Sequence, residues 1–431
     1  MHTNIPSSPS VPADIGQITP EMINPQLLLD IADLIDPAIS RNLPQKRSGF
    51  SYTVYIIFVC CIQLFQLSPK HTARIMHKQC AEHSLSFQRY QTVHFSNGKL
   101  RRFFPDQPSL SRCLMKLSEM DLIQSFWNYV LFAHLLILKS LNLLTNDLKL
   151  IADYTDTSCK KDKQDPYCFG KKKGKSVHRT LSFSIIAGDL HQMVANFKIQ
   201  KRQDKLPLFE KILDLLQSNG FHVSYALLDR GFYRKRILKL LKESRITVIM
   251  PGRKCALTKQ KILKYLKAKG KRYCKGFMKL GYIKKQGHTL LKFDLLLVAK
   301  RSHSLRKVHQ DLKKNQIDLG TASKRIFPLI VLFAAKTGIK TLHGNENYIR
   351  GLYRQRWLIE IAFREMNRLG IGNKSQNRNI RLGQLGMQCL LYNMWQTQRA
   401  LIKRDDPSAA DLELNEFLGK FPERRYLRYS I

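Results

Sequence analysis

Three acidic residues stand where chemistry can be done. Asp153 closes the apolar run LKLIADYT, Asp229 follows HVSYALL, and Glu360 lies inside the aromatic helix YRQRWLIEIAFREMNRLG. In a chain with 73 Lys and Arg against 32 Asp and Glu, such positions call for a reason. Open sheets gather their active sites at the carboxyl ends of strands, where loops and helix ends converge. If Glu360 projects toward the same edge, three carboxylates meet. Close carboxylates repel and raise one another's pKa unless a positive group sits among them. Hard divalent ions such as Mg²⁺ are the chemically sensible occupants, because they prefer oxygen ligands and keep exchangeable waters. Two ions about 4 Å apart can activate a water or 3′-hydroxyl on one side of a phosphodiester and stabilise the leaving oxygen on the other.

Residue chemistry alone leaves ordinary roles open. Tyr353, Trp357, Glu360, Arg364 and Asn367 are spaced four, three, four and three, so they share one helix face, with Arg356 on the adjoining line. Glu360 could equally be a surface glutamate paired with Arg356 or Arg364. An aspartate at a strand end is also a routine turn or cap residue.

The elements that would position these residues are legible from periodicity. Residues 1–24 are expected to be flexible, since the first twenty hold four prolines and several serines. Residues 25–146 read as an all-helical N-terminal domain, with helices over Gln26–Ile35, Tyr52–Leu67, from Pro69, and over Leu122–Leu144. The texture changes at Asp147. A strand over Leu148–Thr155, two more around a Gly188–Asp189 turn, a helix over Pro207–Gln217, a strand over His222–Leu228, a helix over Phe232–Lys242 and a strand over Ile246–Met250 imply a mixed sheet covered by helices. This makes 147–250 the first part of an α/β core. Residues 346–405 supply its second part, with helices from about Glu346 to Leu369 and over Leu382–Lys403, and 406–431 form a tail.

Between these parts, residues 251–345 read as a β-rich insertion with strands at Phe293–Lys300 and Ile326–Ala335. Pro251–Lys292 holds 14 Lys or Arg and no acidic residue. A merely soluble surface mixes both signs, so this stretch is expected to carry a basic face. The whole chain, at +41, points to a polyanionic partner, and nucleic acid is the commonest. The longest apolar run, Val54–Leu67, has 14 residues and two glutamines, short of the roughly 18 that a membrane span needs. No secretory leader is legible at the N-terminus. Nine cysteines without a CxxC pair suggest reduced thiols in a cytoplasmic protein rather than a disulfide framework or a closed zinc site. Aromatics sit in apolar contexts rather than in a stacking ladder, which argues against an RNA-binding module.

Read as a motif, Tyr353, two residues, Arg356, three residues and Glu360 resemble the signature helix of DDE transposases encoded by bacterial and archaeal insertion sequences. LLDRGFY (Leu227–Tyr233) resembles the family's second-aspartate block, and IADYTD (Ile151–Asp156) its first, with Asp153 rather than Asp156 as the ligand. The three blocks occur in the right order, and the resemblance spans about Leu148–Leu369. The family pattern then places a lysine where this chain has Asn367, which can donate a hydrogen bond to phosphate but carries no charge. Arg364 or Arg368 can supply the charge instead.

The resemblance implies a ribonuclease H-like mixed sheet with flanking helices and a β-strand insertion between Asp229 and Glu360, which fits the 130 residues separating them. It further implies catalysis by Asp153, Asp229 and Glu360 holding two Mg²⁺ ions, with Mn²⁺ able to substitute. A 3′-hydroxyl freed at the element's end would attack target DNA. Tyr353 and Arg356 would brace or contact the strand near the cut, together with Arg364, Asn367 and Arg368. Arg253, Lys254, Lys271 and Arg272 would hold backbone in the basic insertion. Partners would be double-stranded DNA, as terminal inverted repeats and target, and a second subunit on that DNA. The N-terminal helices would bind the element's ends. The cell compartment would be a prokaryotic cytoplasm, at the nucleoid. Rival readings are a nuclease of the same fold without strand transfer, and a transposase-derived DNA-binding protein whose carboxylates are vestigial.

Overall fold

The computed structural model describes residues 25–42, 49–65, 68–82, 91–92, 108–110, 112–113, 123–145, 147–160, 164–170, 176–252, 256–268, 273–279, 290–299, 304–334, 342–368 and 378–419. The N-terminal segment 1–24 and the expected DNA contacts Arg253, Lys254, Lys271 and Arg272 lie outside the described residues. The chain divides into two compact units, Met1–Ile137 with Phe363–Ile431, and Leu138–Ala362.

The first unit begins with helices α1 (Pro25–Asn42), α2 (Tyr52–Phe65), α3 (Pro69–Glu82) and α4 (Ile123–Ser140). One short antiparallel pair, β1 (Gly49–Phe50) with β2 (Gln91–Thr92), joins them. Ser68 starts α3 as expected: its hydroxyl accepts from the His71 amide at 3.3 Å, satisfying one of the donors that a helix N-terminus leaves open. The apolar run of α2 buries Val54, Ile57 and Phe58 completely, so it is a core helix. Among the described residues no helix is long and apolar enough to cross a membrane.

The second unit is built on a sheet. Its strands are β3 (Asp147–Cys159), β4 (Cys168–Gly170), β5 (Ser176–Ala187), β6 (Leu190–Lys198), β7 (His222–Leu228), β8 (Thr247–Pro251), β9 (Tyr273–Lys279), β10 (Leu290–Ala299) and β11 (Ile326–Leu332). These nine, among the described residues, form one mixed sheet in the order β4-β5-β3-β7-β8-β11-β10-β9, and β6 also pairs with β5. β5 lies antiparallel to both of its neighbours β3 and β6, so β6 runs parallel to β3, as do β7 and β8 on the other side. That order and polarity are those of a ribonuclease H-like sheet. The β5–β6 turn uses Gly188 at φ +58, a left-handed conformation that costs glycine little.

Helices cover the sheet where the apolar period demands it. α5 (Leu206–Ser218) buries Leu206, Phe209, Ile212, Leu213 and Leu216, a three-and-four spacing, and the chain turns away at Gly220 with φ +72. α6 (Lys235–Glu243) starts later than expected, because Arg230–Phe232 form a 3₁₀ turn and Arg234 is extended at φ −123. The insertion is less a separate body than an extension of the sheet: β11 pairs with β8, β10 with β11, and β9 with β10, all antiparallel. It also holds three helices that its lysine-rich sequence did not announce, α7 (Ala256–Ala268), α8 (Leu305–Lys313) and α9 (Leu319–Arg325). The signature segment, expected as one helix, is two: α10 (Glu346–Gln355) and α11 (Trp357–Arg368). They meet at Arg356, whose amide bonds the Tyr353 carbonyl at 3.2 Å, a tightened three-residue step.

The first unit resumes with α12 (Arg378–Asp405), which packs on α2, and α13 (Leu414–Gly419). Gly386 on α12 admits the Trp127 ring so closely that a Cβ there would lie 2.3 Å from the ring. His134 of α4 is wholly buried and meets the Thr397 hydroxyl at 3.1 Å.

Candidate active site

The two aspartates are brought together by strand pairing. Parallel pairing of β3 with β7 ends at Ala152 opposite Leu228, so Asp153 and Asp229 are the next residues on neighbouring strands. β3 itself continues to Cys159, paired with β5, so Asp153 lies at the end of a ladder rather than at the end of its strand. Asp229 leaves the sheet in extended conformation and leads into the Arg230–Phe232 turn, where the Phe232 amide bonds its carbonyl at 3.0 Å. That turn is anchored by a run of aromatic contacts from core to edge. Phe183 meets Phe209 at 5.0 Å, Phe209 meets Phe232 at 5.7 Å, and Phe232 stacks on Tyr154 at 5.0 Å. Such pairs add to the apolar burial that holds the turn in place.

Glu360 is tied to this edge through Arg356. The guanidinium donates from Nη1 to Asp153 Oδ2 at 2.9 Å and from Nη2 to Glu360 Oε1 at 2.5 Å. Because a guanidinium is a small rigid plane, the two bonded carboxylate oxygens lie within about 8 Å of each other. Arg356 is 8 % exposed in its side chain, Asp153 17 % and Glu360 40 %. Asp229 is half-buried.

Burial holds the Asp153 carboxyl above the usual carboxylate range, and Asp229 and Glu360 push the same way. The Tyr154 amide, 2.7 Å from Oδ1, and Arg356 oppose this. For Arg356, burial is outweighed by Tyr353, Glu360 and Asp153, which hold its pKa up. Burial pushes the Tyr353 and Tyr154 phenols up to about 12, so both stay neutral donors at ordinary pH. Among the described residues no three His, Cys, Asp or Glu side chains are placed as a ready-made metal cage. The donor chemistry nevertheless fits hard divalent ions: Asp153, Asp229 and Glu360 offer only carboxylate oxygens, and their mutual repulsion calls for positive charge beside Arg356.

The remaining expected residues fall into distinct settings. Tyr353 is half-buried, its ring 6.0 Å from the Arg356 guanidinium. Arg364 and Asn367 are exposed on α11, and Arg368 pairs with Glu365 at 2.9 Å. Arg356 itself is a buried link between carboxylates rather than an exposed finger. Asp156 is accounted for: Arg179, its partner across β5, grips both carboxylate oxygens at 2.8 and 3.0 Å. Sequence reasoning missed Arg179, whose role depends on strand register, and Tyr154 and Phe232. It also passed over Arg230 and Arg234, although the run DRGFYRKR displays them directly after Asp229.

A ribonuclease H-like sheet with two aspartates just past the last pair of its central parallel strands, and a helix glutamate tied to one of them through an arginine, is the arrangement expected of the DDE class. Residues 145–394, more than half of the chain, match the model of the transposase DDE domain, and the chain belongs to that family. No curated protein matches the sequence. Among solved structures it is similar to a piggyBac transposase synaptic complex with hairpin DNA, at 11 % identity and TM-score 0.44, over 95 % of this chain and 82 % of that one. It is also similar to the Drosophila P element transposase strand transfer complex, at 13 % identity and TM-score 0.25, over 86 % and 71 %.

Proposed function

We propose that this chain is the transposase of a bacterial or archaeal insertion sequence, which cleaves the element's ends and joins their 3′-hydroxyls to target DNA. The observation that carries this reading is the Arg356 bridge, which ties Glu360 to Asp153 one step beyond the last β3–β7 pair, where Asp229 also leaves the sheet. Asp153, Asp229 and Glu360 would hold two Mg²⁺ ions, or Mn²⁺ in their place. When bound, such ions supply activation of the attacking oxygen and stabilisation of the leaving one. The chain's own part is positioning. The β3–β7 pairing sets the two aspartates side by side. Arg356 fixes the rotamer of Glu360 and braces Asp153, and the neutral Tyr353 phenol is available to donate to a phosphate oxygen. Arg364, Asn367 and Arg368 on α11, with Arg253, Lys254, Lys271 and Arg272, would contact the DNA backbone.

The excess of positive charge supports terminal repeats and target duplex as the partners. Bringing two ends together would take two subunits, in a prokaryotic cytoplasm. The test offers purified protein a labelled duplex carrying the flanking element end with Mg²⁺ and looks for nicks and joined products. Asp229→Ala should abolish both while DNA affinity stays within about twofold, because phosphate contacts elsewhere supply most of the binding. Metal-dependent cleavage by D229A at the wild-type rate would refute the assignment. Nicking by the wild type without joining would leave a nuclease.

A further inference from the structure

At the sheet edge where Asp153 and Asp229 leave the β3–β7 ladder, three cations from three separate elements come together, near enough for Arg234 and Arg179 to act on Lys205. Arg179 stands near the start of β5, held by Asp156 and lying over the rings of Tyr154 and Phe169 at 5.4 and 5.1 Å. The end of β6 runs past it, the Ile199 amide bonding the Arg179 carbonyl at 3.0 Å, and delivers the loop ending in half-buried Lys205. From the turn after β7 comes Arg234, exposed and extended, five residues beyond Asp229. Because β6 and β7 both run parallel to β3, all three arrive at the same edge of the sheet as Asp153 and Asp229.

The nearby acidic residues neutralise only part of this group. Asp156 is taken by Arg179, and Asp204 by Arg236 at 2.7 Å. No carboxylate among the described residues pairs with Lys205 or Arg234. The crowding is felt: burial holds the Lys205 ammonium below the usual lysine range, and Arg234 and Arg179 press it down further against Asp204. Lys205 and Arg234, brought close with no carboxylate of their own, are unfavourably placed until an anion joins them.

We propose that Lys205 and Arg234, backed by Arg179, form a phosphate-binding site that seats one phosphodiester of the DNA strand passing the carboxylates. The site rests on the transposase reading for its ligand, but not for its existence. It reads no base. It fixes the strand's register relative to Asp153 and Asp229, as backbone contacts do. Arg179 is pinned by Asp156 and two rings and sets the local field, whereas Arg234 is exposed and Lys205, which donates to the Gln203 carbonyl, can turn from it to the phosphate. Each contact is charge-assisted, the strong kind of hydrogen bond.

The test measures fluorescence anisotropy of a labelled random-sequence duplex across a salt series. It compares wild type, Arg234→Gln, the double variant K205Q/R234Q and a charge-matched control, K239Q/K324Q, with thermal melts to confirm folding. The double variant should lose about tenfold in affinity, and its slope of log affinity against log salt should fall by about 1, the release expected for one phosphate. R234Q alone should lose part of this, which keeps the test open if the double variant does not fold. The control should keep the wild-type slope. Binding by K205Q/R234Q equal to that of the control would overturn the site while leaving the transposase reading intact. A wild type with no salt-dependent DNA binding would overturn both.

Discussion

Arg356 makes two carboxylate contacts that should differ several-fold in energetic weight. Its partner Asp153 is 17 % exposed at 2.9 Å, whereas Glu360, one helical turn away, is 40 % exposed. Removing one member of a buried ion pair costs about 3–5 kcal/mol, because the other is left buried and uncompensated. The Glu360 end is open to water, which screens its attraction to Arg356 toward the value of about 0.3–0.5 kcal/mol found for pairs at this spacing on helix surfaces. Arg356→Ala is therefore expected to lower stability by about 3–4 kcal/mol, nearly all of it through Asp153. Asp153→Ala leaves the buried Arg356 only the more exposed Glu360 as a carboxylate partner and should cost about 2–4 kcal/mol. The double variant leaves neither charge behind, so the cycle should return a coupling of about 2–3 kcal/mol for Arg356 with Asp153, but under about 0.5 kcal/mol for Arg356 with Glu360. Urea denaturation of the singles and doubles, without divalent ions, measures both. A coupling to Glu360 equal to or larger than that to Asp153 would show that burial does not rank these contacts.

Two further outcomes follow from packing and protonation. Gly386→Ala should destabilise by about 1–3 kcal/mol despite alanine's better helix propensity, because its Cβ would lie 2.3 Å from the Trp127 ring. Gly383→Ala, whose Cβ would make ordinary 3.4 Å contacts, should be neutral or gain up to about 1 kcal/mol; equal chemical-denaturation midpoints for the two would contradict the packing. His134 and His191 are held neutral by burial, their pKa pushed down to about 4 and about 3 from 6.5. Their folded values lie below the unfolded one, so their contribution is complete above about pH 6.5 and drains away as pH falls. His134 alone accounts for roughly 3 kcal/mol by pH 4. Denaturation between pH 7 and 4 should show His134→Gln with a shallower loss than wild type, and parallel curves would assign the acid lability elsewhere.

Much of the molecule is written locally. Apolar period and turn chemistry place α5 and its stop at Gly220, the hairpin at Gly188, and β7 ending at Leu228 with Asp229 next, because each depends on residues within one turn or strand. The same locality sets Arg356 four residues before Glu360. What needed the tertiary structure is everything governed by pairing across the sheet. Whether Asp153 or Asp156 faces the site depends on β5, since the register that sets Arg179 opposite Asp156 occupies that carboxylate. The length of β3 depends on the same partner, which carries it past the point where β7 lets go. The insertion's strands join the main sheet because β8 offers a free edge, which no composition reveals. The helix breaks at Arg356, where a pattern of helix-forming residues predicts continuity. Periodicity reports which face of an element is apolar, but contact between elements distant in the chain is settled only when their backbones pair and their side chains compete for the same charge.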